Sequence, residues 1–173
     1  MAGASSVLLM FLAPNASWWG FDFPEEHKVK GQTEGAGAFL ENAFPNKAKL
    51  ILGDSLLTVP KFILDHPDLK CDVVMLDGGK TYTLRQKDSQ NFREISHEHT
   101  LVILDEICDN KYVSGEGSDS VCDGVQYGDV SKAYRDMVKQ NMLTVVDCVE
   151  KISTEHGFCV GKYLYSNASL NFS

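Results

Sequence analysis

A short apolar run, Val73-Val74-Met75-Leu76, passes without transition into Asp77-Gly78-Gly79-Lys80. An uninterrupted run of that length reads as a strand buried on both faces, which is the pattern of a parallel sheet. The design recurs where Thr100-Leu101-Val102-Ile103-Leu104 is followed by Asp105-Glu106. Two parallel strands that both end in acids bring those acids together at the carboxyl edge of a sheet. In open α/β sheets that edge is where ligands bind. The sequence therefore points to a site built from Asp77, Lys80, Asp105 and Glu106.

The rest of the chain alternates in the same way. Residues 4–12 read as a short helix, and residues 18–23 as a strand ending at Asp22. A charged turn over 24–30 and a helix over 32–43 follow, the latter despite Gly35 and Gly37. Residues 48–52 form a strand that ends in Gly53-Asp54-Ser55, where Ser55 is expected to cap a helix carrying Leu56, Val59, Phe62 and Ile63. After the Asp77 strand come an amphipathic helix over 83–96 and the next strand. Residues 109–128 are rich in Gly, Ser and Asp and lack a period, the mark of a functional or mobile loop and here a candidate lid. A helix over 129–142 and a hairpin of strands over 143–150 and 158–165 complete the pattern. Such alternation forces a mostly parallel, Rossmann-like α/β sheet with helices on both faces, closed by an antiparallel hairpin. Residues 1–165 are expected to form one domain and 166–173 a loose tail.

Composition narrows the partners. The formal net charge of −8 argues against nucleic acid or an anionic membrane as the binding partner. No apolar run reaches membrane-spanning length, and the stretch from Val7 to Ala13 lacks the basic flank of a signal peptide. Five cysteines are an odd number with no metal-type spacing. Cys71, Cys148 and Cys159 fall in strand patterns and read as buried thiols. Cys108 and Cys122 flank the loop and would pair only in an oxidising compartment. Sequons at Asn15, Asn167 and Asn171 matter only in a secretory setting. The expectation is cytoplasmic. His97 and His99 have no third ligand at matching spacing and read as structural. Gly79-Lys80-Thr81 is not a phosphate loop, because the first glycine of that motif would fall on Val74. No Gly-x-Ser-x-Gly elbow supports a serine hydrolase.

The strand-end residues form a series: Gly3 with Ser5 and Ser6 opening a helix, then Asp22, Gly53-Asp54-Ser55, Asp77-Gly78-Gly79, Asp88 with Asn91-Phe92, and Asp105-Glu106. Taken together the series resembles class I S-adenosylmethionine-dependent methyltransferases. More narrowly it resembles the O-methyltransferase-like group called methyltransferase domain family 24. The resemblance implies methyl transfer from S-adenosylmethionine to a hydroxyl of a small molecule. It implies that Gly3, Ser5 and Ser6 approach the methionine part of the cofactor and that Asp22, with Phe23 beside it, serves the ribose. Gly53, Asp54 and Ser55 would lie at the adenine edge, and Asp77 would face the reacting centre. Some methyltransferases of this class bind Mg²⁺ through an acid at this strand end and an acid pair at the next, with a lysine three residues after the first acid. By that resemblance Asp77, Asp105 and Glu106 are expected as metal ligands and Lys80 as the base, in a position where family 24 often has histidine. Each residue keeps a plain alternative: Asp22 as a solvated acid, Asp54-Ser55 or Asp105-Glu106 as caps, and Lys80 as a surface lysine.

The family's first strand ends just before its glycine motif, and this sequence begins inside that motif. A gap between the Asp22 and Asp77 strands is therefore expected. It would mean that the sequence is a fragment, that the remaining strands close up, or that a partner or a second copy supplies the strand. A non-catalytic methyltransferase-like binding domain is the rival reading.

Overall fold

The computed structural model describes residues 9–23, 31–118, 120–125, 127–149 and 157–165. Gly3, Ser5, Ser6, the charged turn over 24–30, most of the hairpin turn and the tail lie outside the described residues. The chain divides into two compact units, Met1–Leu64 and Asp65–Ser173.

In the first unit, strand β1 (Trp18–Asp22) pairs in parallel with β2 (Ala48–Leu52), from Trp18 opposite Ala48 to Asp22 opposite Leu52. Helix α1 (Gln32–Ala43) joins them, and α2 (Ser55–Asp65) follows. A crossover helix between two parallel neighbours is the βαβ unit that the alternating pattern demands. The core of the unit is small. Val59 and Phe62 of α2 are buried, and Phe62 meets the rings of Trp19 and Phe21 with centroids 5.8 and 5.3 Å away.

In the second unit, β3 (Cys71–Leu76) and β4 (Ser96–Ile107) pair in parallel across helix α3 (Tyr82–Glu94). A short helix α4 (Asn110–Ser114) and a longer one, α5 (Gly128–Lys139), precede β5 (Leu143–Val149) and β6 (Gly157–Tyr163). The strand order is β3-β4-β6-β5, with β6 antiparallel to both of its neighbours. One face of this sheet carries the main core: Val74, Leu76, Val102 and Leu104 pack with Tyr112 and Val113 of α4 and with Val130, Tyr134 and Met137 of α5. The alternate side chains Val73, Met75 and Leu101 remain 51%, 39% and 40% exposed.

The mixed α/β architecture agrees with the expectation, including the parallel β3–β4 pair and the antiparallel C-terminal strands. The described strands do not close up into one sheet, however, but form two. Strand β4 is also longer than its apolar run. Its polar start pairs Ser96 with Cys71, Thr100 Oγ1 donates to the Cys71 carbonyl at 2.5 Å, and His97 Nε2 lies 3.2 Å from Asp72 Oδ1. The histidine pair is thus part of a polar seam. The expected loop over 109–128 contains α4, capped by Asp109, which accepts from Tyr112 N at 2.7 Å, and ended by Gly115 with φ 92°.

Four of the five cysteines pair. Cys108 bonds Cys122, and Cys148 bonds Cys159 across the β5–β6 ladder, where the two stand directly opposite. The reading of Cys148 and Cys159 as thiols is corrected. It saw two apolar strands but not the register that places these residues face to face.

Two buried phenols make stability depend on alkaline pH. Tyr134 and Tyr163 are 0% and 4% exposed, and burial pushes both well above the ordinary tyrosine range. Their folded-state values exceed the unfolded value of about 10, so the stability they contribute is fully present below that pH. It is lost as pH rises from there toward the folded values, because only the unfolded chain releases the protons. Urea unfolding between pH 9 and 11 should show stability falling by up to ~1.4 kcal/mol per pH unit for each phenol. Tyr163→Phe should remove one phenol's share of that slope; an unchanged slope would contradict the account.

Candidate functional site

The edge of the first unit is set by the turn out of β2. Gly53 N donates to the Asp22 carbonyl at 2.9 Å, which holds the ends of β1 and β2 together. Gly53 takes φ 137°, a conformation that L side chains rarely adopt, so glycine is required for this turn. Asp54 Oδ1 then accepts from Leu56 N at 2.9 Å and its carbonyl accepts from Thr58 N at 2.9 Å. Asp54 is therefore the helix cap, and Ser55, expected in that role, is the first residue of α2. Asp22 is exposed, with Oδ1 accepting from Phe23 N at 2.8 Å. Phe23 is 60% exposed. The unit thus presents two carboxylates, a glycine turn and an aromatic face along one strand edge.

The edge of the second unit is organised by a buried arginine. Arg85, on the inward side of α3, is 1% exposed. It donates to the Leu76 carbonyl at the end of β3 and to Gly78 O at 3.5 Å. Its Nη2 lies 2.9 Å from Glu106 Oε2, and its guanidinium centre is 5.5 Å from the Tyr134 ring. The Tyr134 hydroxyl donates to the same Leu76 carbonyl at 3.1 Å. Glu106 is itself buried, at 3% exposure, and takes φ 64°. Lys80 comes from the open side: its ammonium binds Glu106 Oε1, Asp77 O at 3.2 Å and Asp77 Oδ1 at 3.5 Å. Asp77 and Lys80 are 56% and 54% exposed in their side chains. Gly79 allows the loop to pass under α3, since a Cβ there would stand 2.5 Å from Leu84 Cβ.

This arrangement gives the metal expectation no support. Glu106 is engaged by two cations, and Asp105 Oδ1 accepts from Glu106 N at 2.8 Å. Among the described residues no group of three His, Cys, Asp or Glu side chains is placed to hold a metal ion. A hard divalent cation wants uncommitted carboxylate oxygens. Asp77, Asp105 and Glu106 do not offer such a set, so these residues do not fit Mg²⁺.

Beside Lys80 opens a cavity of about 380 Å³, lined among others by Tyr112, Asp123, Tyr127, Asp129 and Lys132. Lys80 Nζ is 5.9 Å from the centre of the Tyr127 ring. Cys122 also lines the cavity, so the Cys108–Cys122 bridge ties its wall to the end of β4. Sequence reading placed a lid here but did not single out Tyr112, Tyr127 or Lys132. It also missed Arg85. The signal was available: Arg85, Asp88 and Ser89 are the buried residues of α3, and their i, i+3, i+4 spacing is one helix face. A polar stripe facing a core marks a network rather than a solvated surface.

A scan against protein-family models finds no match, so the narrower resemblance to family 24 gains no support. No curated protein matches either. Solved structures do match in fold. CalS11, a TDP-rhamnose 3'-O-methyltransferase of calicheamicin biosynthesis, is similar with TM-score 0.61 and 14% identity over 95% of this chain and 67% of that one. Fibrillarin of Aeropyrum pernix, in complex with natively bound S-adenosyl-L-methionine, gives TM-score 0.57 and 12% identity over 92% of this chain and 62% of that one. LepI in complex with S-adenosylmethionine gives TM-score 0.57 and 11% identity, with 94% of this chain covering 40% of that one. The chain therefore has the α/β fold of these structures.

The Arg85–Glu106 pair should dominate the stability of this edge. Removing one member of a buried pair leaves the other charge uncompensated and costs about 3–5 kcal/mol. Glu106→Ala should lose that much in urea unfolding, whereas Asp77→Ala, at an exposed position, should change stability by no more than about 0.5 kcal/mol. Equal effects at the two positions would show that the network is not what holds the edge.

Proposed function

We propose that the chain binds S-adenosylmethionine and transfers its methyl group to a hydroxyl of a small molecule. The observation that carries this reading is the placement of Asp22 at, and Asp54 and Asp77 just past, the carboxyl ends of parallel strands, the kind of edge where open α/β sheets bind ligands. The likeness in fold to structures holding that cofactor supports it.

In this reading Asp22 accepts hydrogen bonds from the ribose hydroxyls and Phe23 lies against the adenine. Gly53 lets the backbone approach, with Asp54 and Ser55 at the adenine edge. Gly3, Ser5 and Ser6 are assigned to the methionine part. When bound, S-adenosylmethionine supplies an electrophilic methyl group. The acceptor lies in the cavity beside Lys80, whose ammonium, steadied by Glu106, holds the acceptor oxygen. The exposed Asp77 carboxylate takes the hydroxyl proton. Acceleration then comes chiefly from positioning and fixed charge. No step runs through a metal. The acceptor is a small molecule; nucleic acid and membranes are not proposed as partners, and a second copy or another chain is proposed as a further partner. No described helix is long and apolar enough to cross a membrane.

A second reading is favoured by one observation: the described strands form two sheets. On it the chain binds the cofactor or a partner without transferring methyl.

Calorimetric titration with S-adenosylhomocysteine tests the first step. The wild-type chain should bind, with no change when Mg²⁺ is replaced by a chelator. Asp22→Ala should weaken binding at least tenfold, about 1.4 kcal/mol. A folded sample that does not bind overturns the proposal. Asp77→Ala should reduce transfer to a panel of phenols and sugars a hundredfold or more, the usual scale of acid–base catalysis; binding without any wild-type transfer supports the second reading.

A further inference from the structure

We propose that this chain matures in an oxidising secretory compartment and carries an N-linked glycan on Asn15. Two independent sets of residues carry the inference, one in each unit.

The first is the sequon Asn15-Ala16-Ser17. Residues 11–17 are all exposed. Ala16 N donates to Ala13 O at 2.9 Å, closing a turn with Pro14 and Asn15 at its centre. Proline presets the backbone at the second position of such a turn. Lys47 Nζ binds the Pro14 carbonyl and anchors the turn from outside. No hydrogen bond holds the Asn15 amide among the described residues. The sequon thus stands on an exposed, anchored turn, as glycan transfer and a bulky product both require.

The second is the pairing of cysteines. Reducing compartments keep thiols apart, and bridges persist in oxidising ones. Here Cys108–Cys122 and Cys148–Cys159 leave only Cys71 free. Cys71 is half-buried, and burial pushes its thiol up, away from the reactive thiolate. The pattern is that of two structural bridges and one inert thiol.

For each bridge, two thiols give up two protons and two electrons to a protein disulfide, which becomes a dithiol. For the glycan, Asn15 Nδ2 bonds to the anomeric carbon of a lipid-pyrophosphate-linked oligosaccharide. The amide loses a proton and the lipid pyrophosphate leaves.

The test is peptide mapping of the chain isolated from its native source. It is alkylated without reduction, digested, and deglycosylated in heavy-oxygen water by an amidase that converts glycosylated asparagine to aspartate. Expected are Cys71 as the one alkylated cysteine, linked peptides for both bridges, and Asn15 recovered as heavy-labelled aspartate. Ser17→Ala, secreted from a eukaryotic host, should keep both bridges and lose the label at Asn15. Free thiols at either pair in most molecules, or an unmodified Asn15, overturns the proposal.

Discussion

The contact on which the strand edge of the second unit depends is the ion pair between Arg85 and Glu106. Both groups are almost fully buried, and removing two charges from water costs several kcal/mol each. The pair is tolerable because both ions are used several times over. Arg85 binds two carbonyls beyond its carboxylate partner, and Glu106 binds a second cation. The result is a joint between α3, the end of β3 and the end of β4. It fixes the backbone at Leu76 and Gly78, and so fixes where Asp77 begins its turn. The left-handed backbone of Glu106 belongs to the same joint. A non-glycine residue persists in that region only when its surroundings over-determine it.

Much of the fold was legible in the sequence because parallel strands buried in a core leave unbroken apolar runs. Val73 to Leu76 and Leu101 to Leu104 announced their elements, and the acids after them announced the edge. What escaped was carried by polar residues. The beginning of β4 reads Ser-His-Glu-His-Thr, with no apolar period, yet it is held in the strand by side-chain hydrogen bonds around Thr100 and Asp72. Helix α4 is a single capped turn, too short to show a period. The bridge between Cys148 and Cys159 depends on a register, and register is a tertiary fact.

The site was legible by position and less so by role. Asp54 and Asp77 stand where the pattern put them. Glu106 does too, but a carboxylate one residue past a strand can point outward to a ligand or inward to a buried cation. Only the partner on another element decides. Here Arg85, distant in sequence, draws it inward and turns a would-be ligand into a structural anion. Lys80, which meets the same carboxylate from the open side, is one of two lysines lining the cavity. A sequence shows which atoms reach an edge; it does not show which of them are already occupied.

Strand β6 lies between β4 and β5 but is made after both. A ribosome delivers the chain in order, so β4 and β5 emerge with nothing between them. The sheet cannot be completed by adding strands as they appear. Until Gly157–Tyr163 arrives, the inner edge of β4 is an unpaired template. Assembly of this unit is therefore a late, insertion-like event, and the interval before it is when the nascent chain most needs protection from wrong pairing.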